Sequence, residues 1–580
     1  MGNIDHQKQN PSTGQSNKLH PIVREILISR GCESPQEIQD FLSWDLKALP
    51  NLGSLLDIQK SAQRIIEAIK LDEKICVYGD YDVDGTTSCA LLYHFFKMLG
   101  VTVELLQPSR FEEGYGLHLS SVDAAINLGC KILISVDCGI TSVDSAEYAK
   151  SRGVDLIITD HHADAAPEMP DAFAIINPNR RDEPEESPLR SLAGVGVAFA
   201  LAVEIKKIWD SENTPLPSLY PLLEFVAIGT ISDLARICPT NAKLIRHGLK
   251  QIPKSPYAGV RQFLTPEERN QTFLNSEKVS FQIGPLINSK GRLDHPESSL
   301  KLLISNDSTE ANPYYNILKE SNRERKIIQG QVFKEAKKQF LSQLEGDDLP
   351  PMVIVYHPEW HEGVIGIVAS KLVEEFRIPA IVFTDAKDEG IIKASARTAG
   401  ELDLFSLLND NREYFEKFGG HKAAAGLSMK KENLAALKDS LYQSLFEIPE
   451  IIRTRALEFD VKLDFNQISP NLVYALQTLE PFGNHNARPT FKIQNFKIEN
   501  FSELSGGHIR WDLAAKSGQS FKIKGISFGY VGRWDHASPE ELMQLQLQGE
   551  NLELIGQIGF NDFRGNRYLQ ILVSKIQTVL

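Results

Sequence analysis

Thiols, positive charge and long apolar runs are all scarce in this 580-residue chain, and each shortage argues against a class of protein. The six cysteines, Cys32, Cys76, Cys89, Cys130, Cys138 and Cys238, form no CxxC pair and sit mostly in or beside apolar runs. That pattern disfavours thiolate zinc sites and disulfide frameworks and suits reduced core cysteines in a cytoplasmic protein. Lys and Arg number 62 against 76 Asp and Glu, a formal charge of −14. Bulk positive charge therefore cannot carry nucleic-acid binding, and any contact with a polyanion is confined to a local groove. No segment approaches the roughly 18 continuous apolar residues of a membrane span. The polar stretch from Met1 to about Leu19 lacks the apolar core of a signal peptide. Repeats and low-complexity tracts are missing too. A soluble cytoplasmic monomer with no membrane partner is the expectation.

What is present from about residue 74 is an alternation of short apolar runs with helical patterns. The runs are Ile75–Tyr78, Val101–Leu106, Ile132–Val136, Leu156–Ile158 and Phe173–Ile176, with helical spacing over Thr86–Leu99 and Thr141–Ser151 between them. This is the signature of a parallel α/β sheet. A charged amphipathic segment, about Asn312–Glu345, reads as a solvated connecting helix. Beyond it, Val353–Tyr356, Ala380–Phe383 and Ile391–Ala394 with a helix near Gly363–Glu375 make a second, smaller α/β domain. After about Ile451 the texture changes to alternating segments punctuated by glycine, as in an OB-type β-barrel. The expected division is a tail (1–20), a helical lead-in (21–70), the parallel α/β domain (71–245), a helical extension with the connector (246–345), the smaller α/β domain (346–450) and the OB-like domain (451–580).

The chemistry collects at strand ends. Asp80, Asp82 and Asp84 follow the first run, Asp137 the third, and Asp160-His161-His162 the fourth. Asp233 follows Val226–Ile231, read here as one more strand. In an open parallel sheet the carboxyl ends of the strands share one edge, where ligands bind. Three carboxylates within five residues repel one another unless cations compensate, and Gly79 and Gly85 permit a tight loop around them. Oxygen donors with an occasional imidazole suit two ions of Mn²⁺ or Mg²⁺, and a pair of such ions suits phosphodiester hydrolysis. Asp155 and Asp164 read as structural. Gly194-x-Gly196 lacks the third glycine of a nucleotide-binding loop and reads as close helix packing. Tyr115, Phe111, Trp360 and Trp511 are candidates to stack on bases, and Arg510, Lys522, Lys524, Arg564 and Arg567 with Phe563 and Tyr568 to track a strand.

Tyr78-Gly79-Asp80-Tyr81-Asp82-Val83-Asp84-Gly85, Ser135–Gly139, Thr159–His162 and Gly229–Asp233 resemble the successive motifs of the DHH phosphoesterase superfamily, and the DYDVDG form is similar to its RecJ branch. The resemblance continues through Pro108–Gly116, Gly284–Leu293, Trp360–Ala369, Gly419–Gly426 and Pro481–Phe491, nearly the whole chain. It implies a parallel-sheet DHH domain, a DHH-associated domain and an OB domain. The implied activity is 5′→3′ release of mononucleotides from single-stranded DNA in repair and recombination. A small-substrate phosphodiesterase or a non-catalytic scaffold are the alternatives, disfavoured by the OB-like region and by the intact aspartates. Position by position it implies Asp82, Asp84, Asp137, His161 and Asp233 as metal ligands, with Asp137 as the bridge. Asp80 and His162 would stand near the scissile phosphate, and Asp160 completes the catalytic set. Arg110, Tyr115, Asn288, Arg292, Ser395, Arg397 and His421 would hold the strand and its 5′-phosphate. A RecQ-type helicase and a single-strand-binding protein are the implied partners. One position departs: Leu286 stands where the family motif carries arginine, with Lys290 nearby as a substitute cation.

Overall fold

The computed structural model describes residues 19–109, 114–212, 214–344, 349–516, 521–531, 533, 536–563 and 566–579. The chain forms two compact units. One comprises Val23–Asn322 with Ala475–Arg488, and the other Arg323–Tyr474 with Pro489–Leu580 and the chain start up to Ile22.

The first unit is built on five parallel strands in the order β2-β1-β3-β4-β5: β1 Ile75–Gly79, β2 Glu104–Leu106, β3 Ile132–Val136, β4 Asp155–Thr159 and β5 Ala174–Ile176. β1 and β3 are buried along their whole length, as strands covered by helices on both faces are. The chain reverses its direction across the sheet between β1 and β3, so a crevice opens beyond their carboxyl ends. Asp80 and Asp137 are the first residues past those ends. Helices Pro21–Ser29, Pro35–Leu42 and Ile58–Lys70 precede β1. Asp155 opens β4 at the opposite edge and pairs with Arg64 at 2.7 Å, while Asp164 pairs with Arg181 at 2.6 Å, so both are structural.

One expectation is corrected. Val226–Ile231 is not a strand but part of a helix, Leu223–Ser232, and Asp233 caps its C-terminus. Every residue from Leu223 to Ile231 is buried. A helix enclosed on all sides loses its amphipathic period, and a short apolar run then cannot be told from a strand. Gly229 of this helix fits against Thr87 Oγ1 and Asp84 Oδ1, where a Cβ would come within 2.4 and 2.8 Å.

In the second unit a helix over Ser308–Leu341, which begins in the first, leads to a five-stranded mixed sheet, β6-β7-β8-β10-β9: β6 Val353–Tyr356, β7 Ala380–Asp385, β8 Ile391–Arg397, β9 Phe415–His421 and β10 Ala424–Lys430. Helix Glu362–Phe376 covers one face. A seven-stranded sheet follows in the order β11-β12-β16-β17-β15-β14-β13: β11 Val461–Asp464, β12 Phe491–Gln494, β13 Phe496–Leu504, β14 His508–Ala515, β15 Lys522–Ser527, β16 Leu552–Phe563 and β17 Asn566–Thr578. The segment Ala475–Arg488 belongs to the first unit: Ser276 Oγ donates to Glu480 Oε2 at 2.7 Å, and Asn484 Nδ2 donates to the Leu234 carbonyl at 2.8 Å. No described helix is long and apolar enough to cross a membrane.

Candidate metal centre

The Asp80–Gly85 loop closes on itself because Gly85 has no side chain: a Cβ there would lie 2.5 Å from the backbone N and O of Asp80. Asp82 caps the helix Val83–Met98, its Oδ1 accepting the N–H groups of Asp84 and Gly85 at 2.8 and 3.1 Å. Asp84, fully buried in the first turn, accepts the N–H of Gly194 on Oδ2 at 2.6 Å and that of Val195 on Oδ1 at 2.9 Å. These are the free amides at the start of helix Gly194–Glu212, and the positive end of that helix helps hold the carboxylate. Gly194 is needed for the approach, since a Cβ would stand 2.7 Å from Asp137 Cβ and 2.8 Å from its Oδ1. The Gly194–Gly196 pair is thus close packing, as its spacing suggests, but the packing partner is the site itself.

Asp137 follows β3 in the left-handed region at φ 62°, a conformation unfavourable for an aspartate that persists where the surroundings impose it. Its N–H donates to the Thr159 carbonyl at 2.9 Å. His161 Nε2 lies 3.1 Å from Asp137 Oδ1, 3.8 Å from Asp84 Oδ2 and 3.8 Å from Asp233 Oδ2. Asp137 Oδ1 and His161 Nε2 are both buried without a hydrogen-bond partner. Ligand atoms of Asp80, Asp82 and Asp137 lie within 4.8 Å of one another, as do those of Asp84, His161 and Asp233, and of Asp137, His161 and His162.

Asp160 has another part. Its Oδ1 accepts from the backbone N–H of His161 at 2.7 Å and of His162 at 3.1 Å and sits 2.8 Å from His162 Nδ1, while Oδ2 accepts from the Ile140 N–H at 2.9 Å. Both of its oxygens are engaged with the chain, and the one ring it holds is that of His162. Tyr115 Oη lies 2.9 Å from the same Nδ1.

The electrostatics follow from burial and like charge. Burial, then Asp82, pushes Asp84 to about 7 despite its two backbone donors. Burial, then Asp84 and Asp82, pushes Asp233 to about 9, and burial with the surrounding carboxylates drives Asp137 well above the ordinary range. Burial and the charge of His162 lower His161 to about 4, so its imidazole is neutral and able to ligate. Burial opposes protonation of His162, but the hydrogen bond to Asp160 and its charge raise that imidazole to about 9. Carboxylates that cannot all ionise together, two orphaned buried ligand atoms and an oxygen-rich set with imidazole fit a pair of hard or borderline divalent cations. The Cys138 thiol is held up by burial and by Asp80 and Asp160, and so is no competing thiolate.

Asn288 and Arg292 come from helix Gly284–Gly291, Arg292 as its C-cap. Gly284 seats on Ser232 and Gly291 against the Tyr81 carbonyl, which brings both ends of that helix to the cluster. Leu286 is buried, and Lys290 is paired with Asp294 at 2.6 Å. Arg110 and Phe111 lie outside the described residues. In the second unit Ser395, Arg397 and His421 share one face of the sheet, Ala424 pairing with Arg397 on one side and His421 on the other. Arg397 Nη1 donates to Ser395 Oγ at 3.0 Å, and Gly366, near the start of helix Glu362–Phe376, lies beside both. The tryptophans are corrected as base platforms. Trp360 is buried with Nε1 donating to Glu335 Oε2 at 2.9 Å, and Trp511 is fully buried with Nε1 donating to Ser527 Oγ at 2.9 Å. Of the expected strand-tracking cations, Lys522, Lys524 and Arg567 are paired with Glu499, Asp512 and Asp562, while Arg564 and the Phe563 side chain lie outside what is described. Sequence reasoning missed Gly194 as a wall of the site, and Leu234, whose left-handed φ of 60° follows Asp233 directly.

Gly194→Ala is expected to destabilise the protein by about 1–3 kcal/mol through overpacking. It should also lower Mn²⁺ affinity measured by calorimetry, because the helix start must retreat from Asp137 and takes its amides away from Asp84. Unchanged affinity would contradict this account of the wall.

Three family models match the chain: the DHH family N-terminal domain at residues 74–230, the DHHA1 domain at 350–446 and the RecJ OB domain at 459–575. The chain is 31% identical over 576 residues to the single-stranded-DNA-specific exonuclease RecJ of Escherichia coli (strain K12), covering 96% of each protein. The solved structure of RecJ in complex with Mn²⁺ from Thermus thermophilus superposes with a TM-score of 0.77 at 24% identity, over 97% of this chain and 76% of that one. A structure of exonuclease RecJ bound to manganese matches at 29% identity with a TM-score of 0.58, over 69% of this chain and 97% of that one. A parallel sheet with aspartates and a His pair at its strand ends defines a DHH phosphoesterase domain, here joined to DHHA1 and OB domains. Within that class, the chain belongs to the RecJ family.

Proposed function

We propose that this protein is a cytoplasmic, monomeric 5′→3′ exonuclease that removes mononucleotides from single-stranded DNA in repair and recombination. The observation that carries the reading is the convergence of Asp80, Asp82, Asp84, Asp137, His161 and Asp233 in overlapping groups of three, joined through Asp137 and His161, each within ligand distance, in a chain of the RecJ family. Asp82, Asp84, Asp137, His161 and Asp233 are the proposed ligands, with Asp137 shared and Asp80 completing the first group. Bound there, two Mn²⁺ or Mg²⁺ ions supply Lewis acidity and a lowered water pKa for phosphodiester hydrolysis.

The remaining steps belong to the chain. Asp160 holds the Nδ1 proton of His162, which leaves Nε2 as the nitrogen that meets a phosphate oxygen. Tyr115 braces that ring from the side. Asn288 and Arg292 hold the strand where their helix abuts the aspartate loop. Arg397, Ser395 and His421 take the terminal 5′-phosphate, and support for this comes from a guanidinium and a hydroxyl held 3.0 Å apart on one face of the sheet, donors suited to an anion. Arg110 is proposed as a phosphate contact on the family resemblance alone. A RecQ-type helicase and a single-strand-binding protein are the proposed partners, on the family resemblance alone.

The test is hydrolysis of single-stranded DNA labelled at either end, with Mn²⁺, beside matched RNA and duplex. Release of the 5′ label as mononucleotide is expected. Asp82→Asn keeps a good helix cap and should lower the rate about a hundredfold, in the range of losing one preorganised electrostatic group. Cleavage of dinucleotides alone would replace the exonuclease by a small-substrate phosphodiesterase.

A further inference from the structure

We propose that Phe281 is the stacking platform for a base of the DNA strand beside the metal centre. The inference rests on the exonuclease reading above. Phe281 is 71% exposed, the most exposed phenylalanine among the described residues. It sits on a π-helical turn, Val279–Ile283, whose end residues Val279 and Ile283 are buried and anchor it. A π turn carries one residue more than an α turn, and such bulges are frequent at functional sites. Here the wider turn leaves an aromatic ring in water, where it adds nothing to the core.

The position of the turn identifies what the ring meets. Three residues on, Gly284 seats on Ser232, where a Cβ would stand 2.4 Å from Oγ, and Ser232 precedes Asp233. At the other end of the same helix Gly291 abuts the carbonyl of Tyr81, between Asp80 and Asp82. The segment from Phe281 to Arg292 therefore runs from the Asp233 side of the cluster to the aspartate loop. It offers an aromatic ring at its start, and Asn288 and Arg292 toward its end. On the other side of Asp233 stands a second exposed apolar side chain, Leu234, whose carbonyl is held by Asn484. Cations and polar groups bind the backbone of a single strand, while aromatic faces hold its bases without regard to sequence. Of the aromatic candidates read from the sequence, Trp360 and Trp511 are buried and Tyr115 is engaged with His162, whereas Phe281 offers a free ring face on the segment that leads to Ser232 and Asp233. A protein partner seated on Phe281 would cover the approach to the carboxylates, so the strand is the occupant this placement favours.

The test uses a 5′-phosphorylated 12-mer carrying 2-aminopurine at each of its first four positions in turn, bound with Mn²⁺ to full-length protein in the Asp82→Asn background. With Phe281 present, fluorescence is quenched at one position on binding. Phe281→Ala and Phe281→Leu should abolish that quench and weaken binding about tenfold, while Phe281→Trp retains both and all three keep the parent melting temperature. In the background with Asp82 intact, KM for the 12-mer should rise about tenfold in Phe281→Ala and stay at the parent value in Phe281→Trp. An unaltered quench and affinity in Phe281→Ala, or a Phe281→Trp protein as weak as alanine, overturns the proposal. The parent protein separates the two readings: if it fails to degrade single strands, the exonuclease reading falls, whereas if it degrades them and Phe281→Ala matches it, only the stacking role falls.

Discussion

Asp137→Asn is expected to lower turnover about 10⁴-fold, the scale of losing a member of a catalytic unit, while raising the melting temperature of the metal-free protein. The two effects have one cause. Asp137 is buried against Asp84, Asp82 and Asp233, and its carboxyl is held well above the ordinary range by burial and by those neighbours. A carboxyl whose folded pKa exceeds its unfolded value contributes stability that is fully present below the unfolded value, about 3.9 for aspartate, and is lost as pH rises through the folded one. With Asp84 at about 7 and Asp233 at about 9, the metal-free protein should lose stability progressively from about pH 4 to about pH 9. Asparagine takes one charge out of that set, so the decline becomes shallower and the melting temperature at pH 8 rises, by roughly 1–2 °C for each kcal/mol of repulsion relieved in a unit of this size. Mn²⁺ reverses the order. Saturating metal at a hundredfold excess over Kd stabilises the parent protein by about 2.7 kcal/mol, and the variant, lacking the shared carboxylate, gains little. Calorimetric scans from pH 5 to 9 with and without Mn²⁺ measure both halves, and a metal-free variant that melts below its parent would sink the explanation.

Which parts of this site could be read in the sequence depends on how local their determinants are. Asp80, Asp82 and Asp84, Asp137 and the Asp160–His162 triplet each follow a strand closely, so apolar runs and sheet topology sufficed to place them at one edge. Asp233 arrives from a helix, and its run was misread as a strand because complete burial of Leu223–Ile231 erased the helical period. The correct residue was found through a wrong element. Trp511 reads as a base platform by type, yet it lies on β14, a strand the glycine-punctuated pattern did not separate, with its ring wholly inside the sheet's packing. Contacts across long stretches of chain, such as Asn484 with Leu234 or Gly194 with Asp137, have no local signal at all. They are set by packing, and packing also decides that Leu286 is a core residue and Lys290 half of an ion pair.

Asp160 shows how a residue type can be legible while its role is not, and it carries the largest expected effect on stability. As an aspartate at a strand end it reads like the metal-facing carboxylates, but its oxygens take up the N–H groups of Ile140, His161 and His162 and the Nδ1 of His162. Burial alone would raise its pKa, yet the hydrogen bond and charge of His162 bring it down to about 2. Asp160→Ala strands those donors at a fully buried position and removes the partner of an imidazolium that is about one third exposed, a loss of about 2–3 kcal/mol once solvent screening at His162 is allowed for. Asp160→Asn is the more discriminating change. The amide keeps one acceptor but turns a donor toward either Ile140 or the His162 edge, and it carries no charge to hold the proton on Nδ1. His162, raised to about 9 in the parent, then titrates near the ordinary imidazole value. The sign is the reverse of the depressed-carboxylate case: the stability His162 draws from a raised pKa is fully present below about pH 6.5 and is lost as pH rises through about 9. In the variant that loss disappears, because the stabilisation is absent at every pH. Proton NMR of the His162 ring across pH 5 to 10 reads the shift directly. Mn²⁺ affinity should fall only about 10- to 100-fold, as when a group that orients ligands is changed. An unshifted His162 in Asp160→Asn would mean that the protein field, not this carboxylate, holds the proton.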